Sequence, residues 1–303
     1  MSDDVTFNRE LPENAGLCEQ VSPLIRRIVA PNPSPYTFTG TCSYIIGKGE
    51  VAILDPGPLL PEHCDSLLQA VSGETVSHIV VTHTHRDHSP AARIIRDETG
   101  AQIVGCHPHP LSRPVAEGEI DPLTTSCDGS YKPDIVLEDG WTVEGKGWLL
   151  ETVATPGHTA NHLSFRLNEE NALFSGDHVM AWSTTVVAPP EGSMSTYMAS
   201  LEKLLKRDEV IYWPGHGGPV NDPKAYVRAL LLHRRAREAA ILRRIKEGDS
   251  DIPAIVSALY PGLNPALIGA ASCSVFAHLE DMVQRGLVTT DSLPSIEGLY
   301  AAS

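Results

Sequence analysis

The stretch VVTHTHRDHSPAA, residues 80–92, places three histidines and an aspartate within six positions, His83 to His88. A β-branched run, SHIVVTH, leads into it, and a helical pattern, SPAARIIRDETG, follows. The cluster therefore sits where a strand turns into a helix. His83 and His85 are two apart at the strand end, so both point to one side. Asp87 and His88 are adjacent and diverge in direction. That favours two metals side by side over one ion collecting all four groups.

Further ligands are expected from the ends of later strands, and three candidates stand there. TPGHT supplies His158, FSGDH supplies Asp177 and WPGHGG supplies His216. In each case an apolar run leads in and a glycine precedes the polar residue, allowing a tight turn that aims a ligand inward. The remaining histidines (His63, His78, His107, His109, His162, His178, His233 and His278) read as ordinary core or surface residues. Nitrogen and carboxylate donors without thiolate suit Zn²⁺, and also Mn²⁺ or Fe²⁺.

In order and spacing, THTHRDH, PGHT, SGD and GHG resemble the motif set of the metallo-β-lactamase superfamily, and Asp55 in ILDPG matches its remaining motif. The resemblance runs from about residue 20 to residue 220. It implies an α/β fold, an αββα sandwich with the site at one edge of its two sheets. It also implies that His83, His85 and His158 hold one metal, that Asp87, His88 and His216 hold the other, and that Asp177 bridges them. Asp55 would support the ligands from behind. Two such metals about 3.5–4 Å apart would share a water whose pKa falls from 15.7 to about 7, the nucleophile of a hydrolase. Asp87 and Asp177 would be the catalytic carboxylates, Asp87 orienting that nucleophile. No nucleophilic side chain is required. His178, next to the bridging aspartate, either touches substrate or packs.

The rest of the sequence fills in the frame. Strand patterns at LIRRIVAPN, CSYIIGKGEVAILDPG, AQIVGCH, GWLLETVATPG, HLSFRLN, ALFSGD and VIYWPG interleave with helical patterns, the mark of a layered α/β domain. Residues 107–140 are rich in Pro, Gly and acid without periodicity, and are expected to form a loop near the site. After Asn221-Asp222-Pro223 the pattern becomes one long helix, two shorter ones and a hairpin, the order of a winged helix. A catalytic domain over 1–223 and a winged-helix-like domain over 224–303 are expected. In the last helix Leu267, Ile268, Ala271, Val275, Leu279 and Val283 are expected to pack, and its acidic face does not suit DNA reading. TFTGTCSYIIG together with HRRAREAAILRRI and this tail resembles the β-lactamase-like protein 2 group of the superfamily.

Charge bears on the substrate. The net charge is −15, made of −16 over 1–223, +6 over 224–247 and −5 over 248–303. An acidic catalytic domain repels polyanions. A small ester, thioester or lactone is therefore expected as substrate. The alternative is single-stranded RNA cleavage, which the β-lactamase-like protein 2 resemblance implies. It would use Arg228, Arg234, Arg235, Arg237, Arg243, Arg244 and Lys246 for phosphates, and Trp182 or Tyr197 for base stacking. No apolar run approaches the ~18 residues of a membrane span. The polar N-terminus and six scattered cysteines without a CxxC pair fit a cytoplasmic protein with reduced thiols. Neither DNA nor a membrane is an expected partner. The C-terminal module could build a homodimer contact or close over the site.

Overall fold

The computed structural model describes residues 5–9, 15–116 and 119–303. One mixed sheet contains β1 (Glu19–Ser22), β2 (Ile25–Val29), β3 (Cys42–Lys48), β4 (Glu50–Leu54), β5 (Thr75–Val81), β6 (Gln102–Gly105) and β7 (Ile135–Val136), in that spatial order. The Gly47-Lys48-Gly49 turn makes β3 and β4 an antiparallel pair, whereas β4, β5, β6 and β7 run parallel. A second sheet has the order β12-β11-β10-β9-β8, built from β8 (Thr142–Gly145), β9 (Trp148–Ala154), β10 (Leu163–Leu167), β11 (Ala172–Gly176) and β12 (Ile211–Pro214). The edge strands β1 and β8, EQVS and TVEG, are short and largely polar, so their sequences carry no strand pattern.

The sheets face each other through Tyr44, Trp148, Phe165, Phe174 and Trp213, all buried. Tyr44 meets Phe174 with ring centroids 5.1 Å apart. On the far side of the first sheet lie α1 (Pro61–Ala70) and α2 (Ala92–Thr99), burying Cys64, Leu67 and Ile95. On the far side of the second lies α4 (Met194–Leu204), with Tyr197, Leu201 and Leu204 buried against Val153, Leu173 and Tyr212. The layers are thus α, β, β, α. Residues 107–140 are less irregular than expected, because they contain α3 (Pro122–Thr125) as well as β7.

The long helix α5 (Pro223–Lys246) starts at Asp222, whose side chain accepts from the Ala225 amide at 3.1 Å. Its first half buries Val227, Leu230 and Leu231 in the core around α4. Its second half buries Ile241 and Ile245 with α6 (Ile252–Leu259), α7 (Ile268–Gln284) and the hairpin of β13 (Val288–Thr290) and β14 (Tyr300–Ala302). The expected boundary at 223/224 is therefore the start of a helix that two cores share, and the packing changes partner within α5. The α7 core consists of Val275, Phe276, Leu279 and Met282, whereas Ile268 is 47% exposed despite its apolar spacing. By length and average composition alone, residues 265–284 form a helix that could cross a bilayer, with mean hydropathy 1.3, although no unbroken apolar run of that length occurs in it. Val275, Phe276, Leu279 and Met282 of this helix are buried in the C-terminal core.

Two stability predictions follow from this packing. Leu230→Ala removes a buried side chain from the half of α5 that belongs to the catalytic core. It is expected to cost about 2–5 kcal/mol in a urea melt, and a loss under 1 kcal/mol would contradict the shared-helix packing. His63, fully buried on α1, holds Ser43 Oγ of β3 at 2.9 Å. Burial brings its pKa down to about 4, against weaker pulls from the Pro56 carbonyl and Glu62. Between that value and the ordinary ~6.5 the unfolded chain binds the proton and the folded one does not, so stability falls as pH drops through this window. Removing the ring in His63→Gln should lower the stability lost across that limb by roughly 3 kcal/mol. An unchanged slope would assign the limb to other groups.

Candidate metal centre

The expected ligands all converge at one end of the parallel strands. His83 and His85 follow β5, Asp177 follows β11, His216 follows β12 and His158 sits in the turn after β9. The sheets are joined at this edge, where Cys42 donates to the Gly215 carbonyl at 2.7 Å and Leu163 to that of Thr82 at 2.8 Å. Two glycines are obligatory. A Cβ on Gly157, whose φ is +145°, would lie 2.3 Å from Tyr197 Cα, and one on Gly215 would lie 2.5 Å from Asp177 Oδ1.

Donor atoms gather into two groups that share Asp177. In the first, His85 Nδ1 lies 3.0 Å from both His83 Nε2 and His158 Nε2, and Asp177 Oδ2 is 3.6 Å from His158 Nε2. In the second, His88 Nε2 and His216 Nε2 are 3.3 Å apart, with Asp87 Oδ2 3.5 and 3.2 Å from them. Asp177 reaches this group too, Oδ1 lying 3.5 Å from His88 Nε2 and Oδ2 3.3 Å from His216 Nε2. Atoms bound at 2.0–2.1 Å to one tetrahedral ion lie about 3.3 Å apart. The spacings fit, and both sets are able to hold a divalent cation.

The outer nitrogen of every histidine is held by the protein, which turns the inner lone pair toward the centre. His88 Nδ1 donates to Asp55 Oδ2 at 2.9 Å and His158 Nδ1 to the Val186 carbonyl at 2.6 Å. His216 Nδ1 donates to the Gly40 carbonyl at 3.2 Å. His83 Nδ1 donates to Thr82 Oγ1 at 2.9 Å, and that hydroxyl donates to Asp55 Oδ2 at 2.7 Å. Asp55 Oδ1 accepts from the Thr82 amide as well. For His85 the partner is Glu191, with Oε1 2.7 Å from Nε2. This contact is short but poorly aligned as a hydrogen bond, so it acts mainly through charge.

Glu191 is absent from the sequence reading. Burial opposes its ionisation, but the adjacent His85 and the hydrogen bond from the Cys127 thiol outweigh that and bring its pKa down to about 2. Cys127 Sγ lies 3.0 Å from Glu191 Oε1 and 3.2 Å from His109 Nε2, and His109 Nδ1 is 3.0 Å from Thr84 Oγ1. His162 was also read as ordinary. Its Nε2 accepts from the Asp177 amide at 3.1 Å, so it positions the shared carboxylate from behind. His178 is fully buried, its ring lies tilted against Tyr197 with centroids 4.7 Å apart, and its ring nitrogens have no hydrogen-bond partner among the described residues; it packs. Burial, with lesser repulsion from His158 and Arg234, lowers its pKa to about 3.

Beside the ligands lies a cavity of about 500 Å³. Tyr36, Met180, Val186 and Ala188 supply its apolar wall, and Thr125 and Ser126 bring residues 107–140 to its rim. Asp87 is the ligand most open to it, with its side chain 26% exposed against 14% or less for the others in contact. Burial raises the Cys127 thiol pKa, which with its buried position disfavours it as a nucleophile.

A two-sheet sandwich with this donor set at its edge defines a metal-dependent hydrolase of the metallo-β-lactamase type. Residues 36–216 match the family model described as metallo-beta-lactamase superfamily, and residues 252–293 match the beta-lactamase associated winged helix domain. The chain belongs to the metallo-beta-lactamase superfamily. It is 35% identical over 234 residues to a beta-lactamase-like protein 2 homolog of Caenorhabditis elegans, covering 76% of this chain and 73% of that one. It is 30% identical over 230 residues to an atrochrysone carboxyl ACP thioesterase of Aspergillus terreus, covering 75% of this chain and 65% of the relative. The chain thus spans slightly under two thirds of that thioesterase. In fold it is similar to a metallo-beta-lactamase family protein of Thermus thermophilus, with TM-score 0.75 at 23% identity, covering 94% and 100% of the two chains.

Glu191→Gln keeps the shape and removes the charge behind His85. It is expected to weaken binding of the divalent ion by about 10–100-fold in a metal titration while circular dichroism is unchanged. Parent-like affinity would reduce Glu191 to a packing residue.

Proposed function

We propose that the protein is a dinuclear metal-dependent hydrolase of small acyl thioesters, with esters and lactones as chemically related substrates. The observation that carries the reading is the cavity itself. It brings an apolar wall, suited to an acyl chain, against a doubly held set of metal ligands. Two divalent cations, Zn²⁺ by the donor set, would supply Lewis acidity toward the acyl carbonyl and acidify water.

The chain's own groups do the rest. The shared Asp177 carboxylate fixes the spacing of the two halves. Asp87, at the mouth of the cavity, accepts a hydrogen bond from attacking water and orients it. Its Oδ2 is itself steadied by Thr41 Oγ1 at 3.4 Å. The thioesterase name of a relative supports a sulfur leaving group.

RNA cleavage is the less supported reading, because most of the groups it would use are engaged. Arg235 pairs with Glu202, and Arg244 with Glu247 and Asp249. Arg234 and Tyr197 are buried. Trp182 is stacked on Phe38 with centroids 5.0 Å apart.

Metal-loaded protein should hydrolyse acyl-N-acetylcysteamine thioesters. Asp87→Ala should lower kcat by about 10²–10⁴-fold, the range of a lost general base. Cleavage of labelled single-stranded RNA with no turnover of thioesters, esters or lactones would overturn the proposal.

A further inference from the structure

A second cavity, of about 290 Å³, lies between the catalytic domain and the C-terminal module. It shares Tyr36, Met180 and Val186 with the metal-site cavity, so the two adjoin at these side chains. Its electrostatics run against the rest of the molecule. The chain carries −15 overall, yet Arg9, Arg234 and Arg237 line this groove and, among the described residues, no aspartate or glutamate does.

The buried member is the most telling. Arg234 is 3% exposed and no carboxylate pairs with it among the described residues. Its Nη1 donates to Ser274 Oγ at 3.2 Å and its Nη2 to the Thr185 carbonyl, while Nε has no acceptor. The guanidinium also lies over the Tyr197 ring at 5.1 Å. A buried charge without a counter-ion is costly, and an anion delivered from outside relieves that cost. Arg237 is held over the Tyr260 ring, 4.1 Å from its centroid, which fixes a second cation at the groove without neutralising it. Arg9, on the N-terminal segment, is exposed at the same groove and has no acidic partner among the described residues.

We propose that this groove binds the phosphate of a phosphopantetheine-borne thioester whose acyl carbonyl occupies the metal-site cavity. The proposal rests on the thioester reading above and adds the group that carries the thiol. A long, thin arm with an acyl thioester at one end and a phosphate at the other matches two cavities that share a wall, one with metal ligands and one with arginines. An extended polyanion matches less well, because Arg235 and Arg244, outside the groove, are paired with acids. Within the groove three arginines stand without any acidic side chain in the lining.

The test uses the full chain loaded with zinc and three substrates with one acyl group: acyl-pantetheine, acyl-phosphopantetheine and acyl-CoA. Both phosphorylated substrates should show a KM about tenfold or more below that of acyl-pantetheine, the size expected for charge-assisted hydrogen bonds. R237E and R9E should erase that difference, whereas R235E, outside the groove, should keep it. An acyl group on a carrier protein, hydrolysed with the same R237E sensitivity, would identify a carrier as the source, and acyl-CoA alone would identify the free cofactor.

Calorimetric binding of CoA against pantetheine gives a readout independent of turnover. Phosphate-dependent binding without thioester hydrolysis would sink the thioester reading and leave the anion groove standing. Equal binding of the two thiols, a preference for acyl-CoA that acyl-phosphopantetheine does not share, or R237E-sensitive cleavage of single-stranded RNA would each overturn the groove proposal.

Discussion

The carboxylate of Asp55 fixes both halves of the metal centre, and the surrounding structure can be traced from it. One oxygen accepts from His88 Nδ1 and from the Thr82 hydroxyl, and the other accepts from the Thr82 amide. Because the Thr82 hydroxyl in turn accepts from His83, a single buried charge orients one histidine of each ligand group. The cost is local. Asp55 adopts φ +48°, a conformation in which most side chains are strained. That turn ends β4 and directs the carboxylate at the neighbouring end of β5, where its amide donates to the Val80 carbonyl at 2.8 Å. Parallel pairing of the two strands is what sets the register.

The same logic repeats outward with different acceptors. Gly40, Val186 and Glu191 take the remaining histidines. With all five outer nitrogens engaged, five lone pairs and two carboxylates face one another inside a buried volume. Each of these groups has surrendered water, and only the pairing of Asp87 and Asp177 with His88 and His216 offsets that cost within the protein itself. An ion bound only by the folded arrangement would stabilise this edge in proportion to its affinity.

The side chains that converge at the candidate centre are legible because most are local in sequence. THTHRDH holds four of the seven groups, and glycine punctuates the approach to His158, Asp177 and His216. Strand and helix patterns with β-branched or heptad-like spacing gave the layers around them. The supports were legible only where a motif carried them, as with Asp55. Glu191 and Cys127 meet His85 across separations of more than 40 residues, in segments without periodicity, so nothing local marks them. Polar edge strands β1 and β8 failed to register for a related reason, since they have little buried face to pattern. In α7 the packing expected from Val275 and Leu279 holds, while Ile268 at its start stays exposed.

The C-terminal module is tied to the chemistry by a short chain of contacts. Arg234 on α5 donates to the Thr185 carbonyl, the next carbonyl, Val186, accepts from His158, and the Thr185 hydroxyl donates to the Asp177 and His178 carbonyls. Residues 185–186 are thus clamped between a ligand histidine and a helix shared by two cores. Across the cavity, Arg113 bonds Glu280 on α7 and Glu119 in the loop, while Ser112 holds the Pro190 and Glu191 carbonyls. The backbone at Glu191, and with it the carboxylate behind His85, is therefore braced through a loop that leans on the winged helix. Both routes end on first one and then the other histidine of the same ligand group, His158 and His85. A displacement of the C-terminal module would accordingly disturb that group before the one built on His88 and His216, whose supports, Asp55 and Gly40, lie within the sandwich.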